Sequence, residues 1–380
     1  SRKGCKQMRY LTLGVRGVWR RSGSRLLGRG IRLGSFVLVL GVCSMIAIAC
    51  GGQGGGGGGG GGAQTLRLIS FIPSNDILSR DVVPMWIDRV EEGTGGEVTI
   101  EWIGGPESIP QPDQFAAVRD GLVDINFNVA PYYTNEVPGI LSVLLSPHTP
   151  SEERENGYFD YLDQRHEEAG VVYLGRWLSG LPFYFWSNEE FQTLEDFNGK
   201  SIRSNPQYHP VLLALDASPV DVGQSDVYTA LERGVVQGFS WPILGPQEYG
   251  WTEVSPFLID EPFMAESGTI TMNPDTFQSL SPENQEVIRE VTAEFETEMR
   301  DFFIEQEQQQ RESLADAGVE AVTLSPEDSE RFQEVWKEAH WQSLAEAAPD
   351  EVDELRSLLN SSEADEESDW VIPTQNRAAS

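Results

Sequence analysis

Arg203 is the residue whose type and setting most clearly offer chemistry. A guanidinium is planar, keeps its charge where water is excluded, and meets a carboxylate through two parallel hydrogen bonds. Arg203 follows Lys200-Ser201-Ile202 in the segment Phe197 to Pro242, FNGKSIRSNPQYHPVLLALDASPVDVGQSDVYTALERGVVQGFSWP. The pattern puts it at the end of a short strand, ahead of a helix, a second strand and a helix from Asp226 to Arg233 capped by Ser225 and ended by Gly234. Strand ends are where α/β folds open ligand crevices. The competing reading of a lone arginine is an interdomain or surface salt bridge, so the residues around it have to decide.

Catalytic alternatives find no constellation to carry them. The four histidines, His148, His166, His209 and His340, are far apart in sequence, and neither H-E-x-x-H nor C-x-x-C occurs. Gly238-Phe239-Ser240-Trp241-Pro242 lacks the second glycine of a nucleophile elbow. Gly199-Lys200-Ser201 has Leu194 where a phosphate loop requires glycine, and no lysine follows the polyglycine run. Carboxylate pairs are everywhere in so acidic a chain and point nowhere.

The segment as a whole resembles the extracytoplasmic solute-binding proteins of TRAP (tripartite ATP-independent periplasmic) transporters, the DctP family. Gly199-Lys200 leading to Arg203, then Ala217-Ser218-Pro219-Val220, then Val227-Tyr228-Thr229-Ala230-Leu231 with Gly234 and Gly238 carry the likeness. It is close over the middle third and looser on the flanks. It implies that Arg203 binds a ligand carboxylate, with Asn205 beside it, and that Ser240 and Trp241 touch the ligand from the next strand. Phe183 and Tyr184 stand where the sialic-acid-binding branch has a second arginine; its absence here argues against sialic acid. Asn128, Tyr132 and Tyr133 would form a polar and aromatic wall from the first lobe. Asn75 and Asp76 are further contacts from that lobe, although such residues often only form turns. Some family members hold a metal ion through an acidic residue just before the tryptophan. That position is Ser240 here, and even with Glu266 in reach neither metal nor cofactor is expected.

The first fifty residues point outside the cytoplasm. Ten basic residues precede the apolar run Gly34 to Ala49, which ends in Ala47-Ile48-Ala49-Cys50. A basic start, an apolar centre and small residues before a cut describe an export signal. The cysteine suggests lipid attachment at Cys50; a transmembrane anchor is the alternative, for a run slightly short of the ~20 residues a span needs. Either way the rest of the chain is held outside. All three cysteines (Cys5, Cys43, Cys50) lie in this leader, so the exported part has no disulfide. Gly54 to Gly62 has no side chains to bury and reads as a flexible leash.

Of the 27 Lys and Arg, ten are in the leader, which has no carboxylate, leaving 17 against 60 acidic residues, a balance of −43. That argues strongly against nucleic acid as a partner. It does not exclude an anionic ligand, because repulsion between exposed charges is screened beyond ~8 Å at physiological salt.

Strand-like runs (Leu66 to Phe71, Val98 to Ile103, Val123 to Asn128, Val171 to Leu174, Phe183 to Trp186) alternate with helical patterns, the texture of an α/β fold. Thr149-Pro150 opens a helix that runs to Gly170. After Ser281-Pro282 a helical pattern carrying Val287, Ile288, Val291, Phe295, Met299, Phe302 and Phe303 on one side continues to Ala317. At 1.5 Å per residue that is ~54 Å: either two helices with an unmarked break or, as the resemblance implies, a spine between two lobes. Ser325-Pro326 opens a last long helix through Trp336 and Trp341.

The expected architecture is a two-lobed α/β periplasmic-binding-protein fold with crossing segments and long C-terminal helices. Its parts are a leader (1–50), a glycine-rich linker (51–63), lobe I (64–180), lobe II (181–265), helices returning to both lobes (266–360) and an acidic tail (361–380). The expected role is capture of a small organic acid, a monocarboxylate such as a 2-oxo or 2-hydroxy acid, for TRAP membrane subunits, with the chain lipid-anchored at the membrane and no catalysis. A binding lipoprotein serving a sensor, or an extracytoplasmic hydrolase, are the alternatives.

Overall fold

The computed structural model describes residues 63–359. The leader with Cys50, the glycine run and the acidic tail lie outside the described residues. Among the described residues nine strands form one mixed sheet: β1 (Gln64–Ser70), β2 (Val98–Trp102), β3 (Ile125–Val129), β4 (Val172–Ser187), β5 (Ser201–Ser204), β6 (Ser218–Asp221), β7 (Gly238–Pro242), β8 (Phe257–Met272) and β9 (Glu320–Val322). Their order is β2-β1-β3-β8-β4-β7-β5-β6, with β9 on the free edge of β8. Mixed α/β architecture is therefore what the alternating patterns produce.

Two groups of parallel strands lie at the two ends of this sheet. β1 pairs in parallel with β2 and β3, and β5 in parallel with β6 and β7. Parallel neighbours need a crossover, and helices supply them: Val82–Gly93 lies between β1 and β2, and His209–Ala214 between β5 and β6. Between the groups run β4 and β8, sixteen residues each and antiparallel to one another.

The sequence suggested two strands, Val171 to Leu174 and Phe183 to Trp186, where the structure has the single strand β4. Glycines at 175 and 180 read as loop, but the chain stays extended through a bulge. The ladder runs from Trp177 opposite Gly268 to Leu181 opposite Glu266, so three residues of β4 face one of β8. Leu178 and Gly180 take left-handed φ values of 55° and 77° there, an irregularity that bends and twists a strand pair. On one side of the bulge β8 pairs with β3; on the other it pairs with β9, and β4 with β7. The bulge thus divides the sheet into a first half, β2-β1-β3 with one end of β8 and β4, and a second half containing the rest.

The helical pattern after Ser281-Pro282 is one helix, Pro282–Asp316, of 35 residues. The Ser281 side chain accepts from the Asn284 N–H at its start, satisfying a donor left open by the first turn. Ile288, Phe295, Met299 and Phe303 recur at heptad-like spacing and are buried in the core of the first half. Leu314, about three turns farther along, is buried in the core of the second. Polar contacts repeat the division: Trp86 Nε1 donates to Thr292 at 3.0 Å, and the Tyr184 hydroxyl donates to Glu307 at 2.7 Å. The helix is a strut fastened to both halves.

Two local expectations are corrected. The helix read from Thr149 to Gly170 is two, Pro150–Asn156 and Tyr158–Glu168, split at Gly157 with φ 90°. Ser225 does not cap the following helix; a 3₁₀ turn, Gln224–Asp226, precedes Val227–Glu232. Ser325 does cap Pro326–Ala347, accepting from the Asp328 N–H.

Candidate functional site

A cavity of about 300 Å³ lies where the two groups of parallel strands point their C-terminal ends at one another. Phe71 and Ile72 follow β1, Tyr132 follows β3, Asn205 to Tyr208 follow β5, and Val222 to Gln224 follow β6. The C-terminal ends of parallel strands leave main-chain groups and loop side chains facing one crevice. Its volume is at the low end for ligand sites, which suits a small molecule.

Arg203, the third residue of β5, projects into this cavity and is 6% exposed. Its Nε donates to the Val222 carbonyl at 2.9 Å, which fixes the plane of the guanidinium. Its Nη1 is buried with no hydrogen-bond partner, and it makes no salt bridge among the described residues. Burial lowers its pKa from the ordinary value; the Tyr208 and Tyr132 phenols and Asp221 counter this only in part. The side chain remains a cation, since arginine does not deprotonate in proteins. A buried cation with an unused donor is costly unless an anion completes it.

Aromatic rings frame the charge. The Trp241 ring centroid is 5.3 Å from the Arg203 guanidinium carbon, within cation–π range. Phe183 approaches Tyr208 at 5.5 Å and Trp241 at 6.4 Å between centroids. Burial raises the pKa of both Tyr132 and Tyr208, so both phenols stay protonated near neutrality. The cavity also holds Glu266 of β8, 5% exposed, whose carboxyl accepts from Gln207 Nε2 at 3.2 Å.

Among the residues singled out from sequence, the structure brings Arg203, Asn205, Trp241, Phe183 and Tyr132 together around the cavity. Asn205 also caps its own turn, its side chain accepting from the Gln207 N–H at 3.2 Å. Five others lie elsewhere. Tyr184 and Ser240 are strand neighbours of Phe183 and Trp241, and successive strand residues face opposite ways. Tyr184 turns to the strut helix, donating to Glu307 and accepting from Arg311 at 2.9 Å. Ser240 is opposite Phe185 in the ladder and fully buried. Asn128 is buried, accepts through Oδ1 from the Val129 N–H at 2.9 Å, and does not line the cavity. Asn75 is exposed. Tyr133 is buried in the core against Phe115, stacked at 4.7 Å.

Asp76 stands beside the cavity mouth and ties the halves together. Its carboxylate accepts from the Tyr249 hydroxyl at 2.9 and 3.1 Å and from Gln224 Nε2 at 3.1 Å. Arg80 meets Glu248 close by at 2.9 Å. Gln207 and Tyr208 were not anticipated as cavity residues. The available signal was Asn205-Pro206, a cap and a first-turn proline placed directly after the arginine strand. Among the described residues no group of three or more His, Cys, Asp or Glu could hold a metal ion, and no helix is long and apolar enough to cross a membrane.

A crevice at the C-terminal ends of parallel strands, between two halves joined by crossing strands, is a place for a small ligand, and comparison with known proteins says in which family it occurs. The chain belongs to the bacterial extracellular solute-binding protein family 7, DctP, whose description matches residues 70–347. It is similar to the 2,3-diketo-L-gulonate-binding periplasmic protein YiaO of Escherichia coli (strain K12), 24% identical over 247 residues covering 62% of this chain and 74% of the relative. It shares its fold with a TRAP periplasmic solute-binding protein from Desulfovibrio salexigens with bound orotic acid, at TM-score 0.70 and 20% identity, covering 78% of this chain and 97% of that one. A TRAP periplasmic solute-binding protein from Sulfitobacter sp. NAS-14.1 with bound β-D-galacturonate gives TM-score 0.67 and 21% identity over 78% and 99% of the two chains. The fold is thus the two-lobed one of TRAP solute-binding proteins, and the family is one of extracytoplasmic binding proteins rather than enzymes.

Proposed function

We propose that this protein captures a small monocarboxylate, such as a 2-oxo or 2-hydroxy acid, on Arg203 and delivers it to the membrane subunits of a TRAP-type transporter. The observation that carries the reading is the buried, unpaired Nη1 of Arg203 inside a cavity framed by aromatic rings. A ligand carboxylate there would supply the missing partner and form charge-assisted bonds worth more than neutral ones. The bound molecules of the two similar structures, β-D-galacturonate and orotic acid, are themselves carboxylic acids, which supports the class.

The lobes on this reading are 64–180 and 181–265, with 266–360 returning to both, so that the bulge at Leu178 to Gly180 serves as hinge. Capture would shift the protein toward a closed state, since ligand touching both lobes binds that state better. Outside the described residues, Cys50 would be cleaved before and lipidated, holding the receptor at the membrane. Mass spectrometry of the native protein tests this: retention of residues 1–49 would reject it.

Capture is tested by a thermal-shift screen of organic acids. A ligand at a hundred times its dissociation constant stabilises by about 2.7 kcal/mol. Wild type should respond to at least one acid and Arg203→Ala to none. Absence of any response in wild type would reject the reading.

A further inference from the structure

Among the described residues, the buried polar atoms of the cavity wall that lack a partner are Arg203 Nη1, Trp241 Nε1 and Gln207 Oε1, and all three belong to the second half of the sheet and its loops. Other polar side chains there are engaged. Ser204 Oγ donates to the Asn205 carbonyl at 2.9 Å, Gln207 Nε2 donates to Glu266 at 3.2 Å, and Asp221 meets His209 at 3.0 Å. The first half presents a different surface. Phe71, Ile72, Leu78 and Val129 line the cavity with carbon, and Tyr132 adds a phenol ring. Gln111 spends its Nε2 on the Phe71 carbonyl at 2.7 Å. A molecule held by its carboxylate on Arg203 and touching both halves therefore turns its body toward a carbon wall.

The bulge between the halves completes that wall with Leu178 and Leu181. With Asp216, Leu178 is one of two non-glycine residues of positive φ among the described residues, at 55°. A bulky side chain in that region crowds its own backbone, and glycine is the residue that escapes the crowding, as Gly180 does two positions on. The backbone ahead of Leu178 is pinned by the Arg176 ion pair with Glu153 and by Trp177 Nε1, which donates to the Asn128 carbonyl at 2.8 Å. What a leucine adds at this place is its side chain, 1% exposed and lining the cavity. A residue kept in a sparsely populated conformation by its surroundings points to a role in function.

Resting on the carboxylate reading above, we infer that the ligand is an acid with a compact hydrocarbon body, branched aliphatic or aryl, and that Leu178 sets the size of that body. Water against a carbon wall has few partners, and an apolar group displaces it at a gain. A hydroxyl laid against the same wall gives up its water and receives no hydrogen bond in return. A sugar acid suffers that loss at several carbons.

The test is calorimetry on the wild-type protein with 2-hydroxy acids that share one carboxyl end and differ in body. 2-Hydroxy-4-methylpentanoate and threonate have the same number of non-hydrogen atoms, carbon in the one body where the other has hydroxyls; 2-hydroxy-3-phenylpropanoate and D-galacturonate extend the pair to larger acids. The hydrocarbon acids should bind about tenfold or more tightly than their hydroxylated counterparts. Leu178→Ala, which opens the wall, should shift the ratio of affinities about tenfold toward the phenyl acid. An unchanged ratio would remove Leu178 as the size filter. Threonate or galacturonate binding as tightly as the hydrocarbon acids would overturn the apolar body while leaving the arginine clamp intact. Failure of every acid to bind would overturn the carboxylate reading as well. The wild-type series stands even where Leu178→Ala does not fold.

Discussion

Arg176 and Glu153 meet at 2.6 Å, each side chain 3% exposed. A second carboxylate, Glu296, accepts from the Arg176 backbone N–H at 2.6 Å and from Arg154 Nη2 at 2.6 Å. This charge cluster binds β4 to the Pro150–Asn156 helix and to the strut helix, and every cation in it has an anion. Arg203, equally buried, has none.

The two arginines should therefore respond oppositely to truncation. Arg176→Met leaves Glu153 buried and uncompensated, a loss of roughly 3–5 kcal/mol of stability, read as a drop in the melting temperature of the ligand-free protein. Arg203→Ala should leave that temperature nearly unchanged and cost roughly 2–5 kcal/mol of binding. Lysine at 203 should rescue poorly, because an ammonium lacks the planar fork. A large drop in melting for Arg203→Ala would instead identify it as a structural cation.

Asp76 and Tyr249 make a bond that exists only while the two halves are together. Tyr249→Phe removes a hydrogen bond to a charged group, worth about 1.5–3 kcal/mol, from the closed arrangement alone. Apparent affinity should fall about tenfold or more through the lower closed population, with little change in ligand-free melting. Solution scattering should show compaction on ligand binding in wild type and a higher ligand requirement for it in the variant. Equal affinity in the two proteins would remove this contact from the closing equilibrium.

His166 is buried, with Nδ1 2.7 Å from the Leu162 carbonyl, Nε2 3.2 Å from the Tyr133 hydroxyl and its ring stacked on Tyr173 at 4.7 Å. Burial pushes its pKa down to about 4 from 6.5. Between those values the unfolded chain binds a proton that the native protein refuses, so stability falls as pH drops through 6.5 and this contribution is exhausted near 4. The loss is about 3 kcal/mol at most. His166→Phe, which keeps a ring against Tyr173, should flatten the melting-temperature curve in that window. An unaltered slope would place the acid sensitivity in other groups.

Gly268 lies opposite Trp177 in the ladder, and a Cβ there would collide with the indole of Trp177, whose Nε1 donates to the Asn128 carbonyl at 2.8 Å. The indole is fully buried, so it has no room to retreat. Gly268→Ala should cost roughly 1–3 kcal/mol as an overpacked core, measured by denaturant unfolding; a cost near zero would show that the bulge beside it yields.

What the sequence made legible was local. Ser281-Pro282 and Ser325-Pro326 announced their helices because a cap and a first-turn proline act within four residues. Arg203 was legible because its neighbours on both sides follow one pattern. Strand β4 was not, since only its pairing with β8, some ninety residues later, keeps the chain extended across Gly175 and Gly180. Phe183 and Tyr184 were named together for the same cause: adjacent strand residues face opposite sides, and which one met the cavity depended on a register that no short window contains. Glu266 and Gln207 came together across the sheet, a contact no spacing rule reaches.

Strand β8 is the last of the sixteen-residue strands to be made, yet it lies between β3 and β4, with Met272 opposite both Ile125 and Val172. A nascent chain that stops short of Phe257 holds β3 and β4 with no neighbour between them, leaving open edges of the kind that pair with other chains. Neither half of the sheet can be completed from the first 256 residues, since both β3 and β4 take β8 as a neighbour.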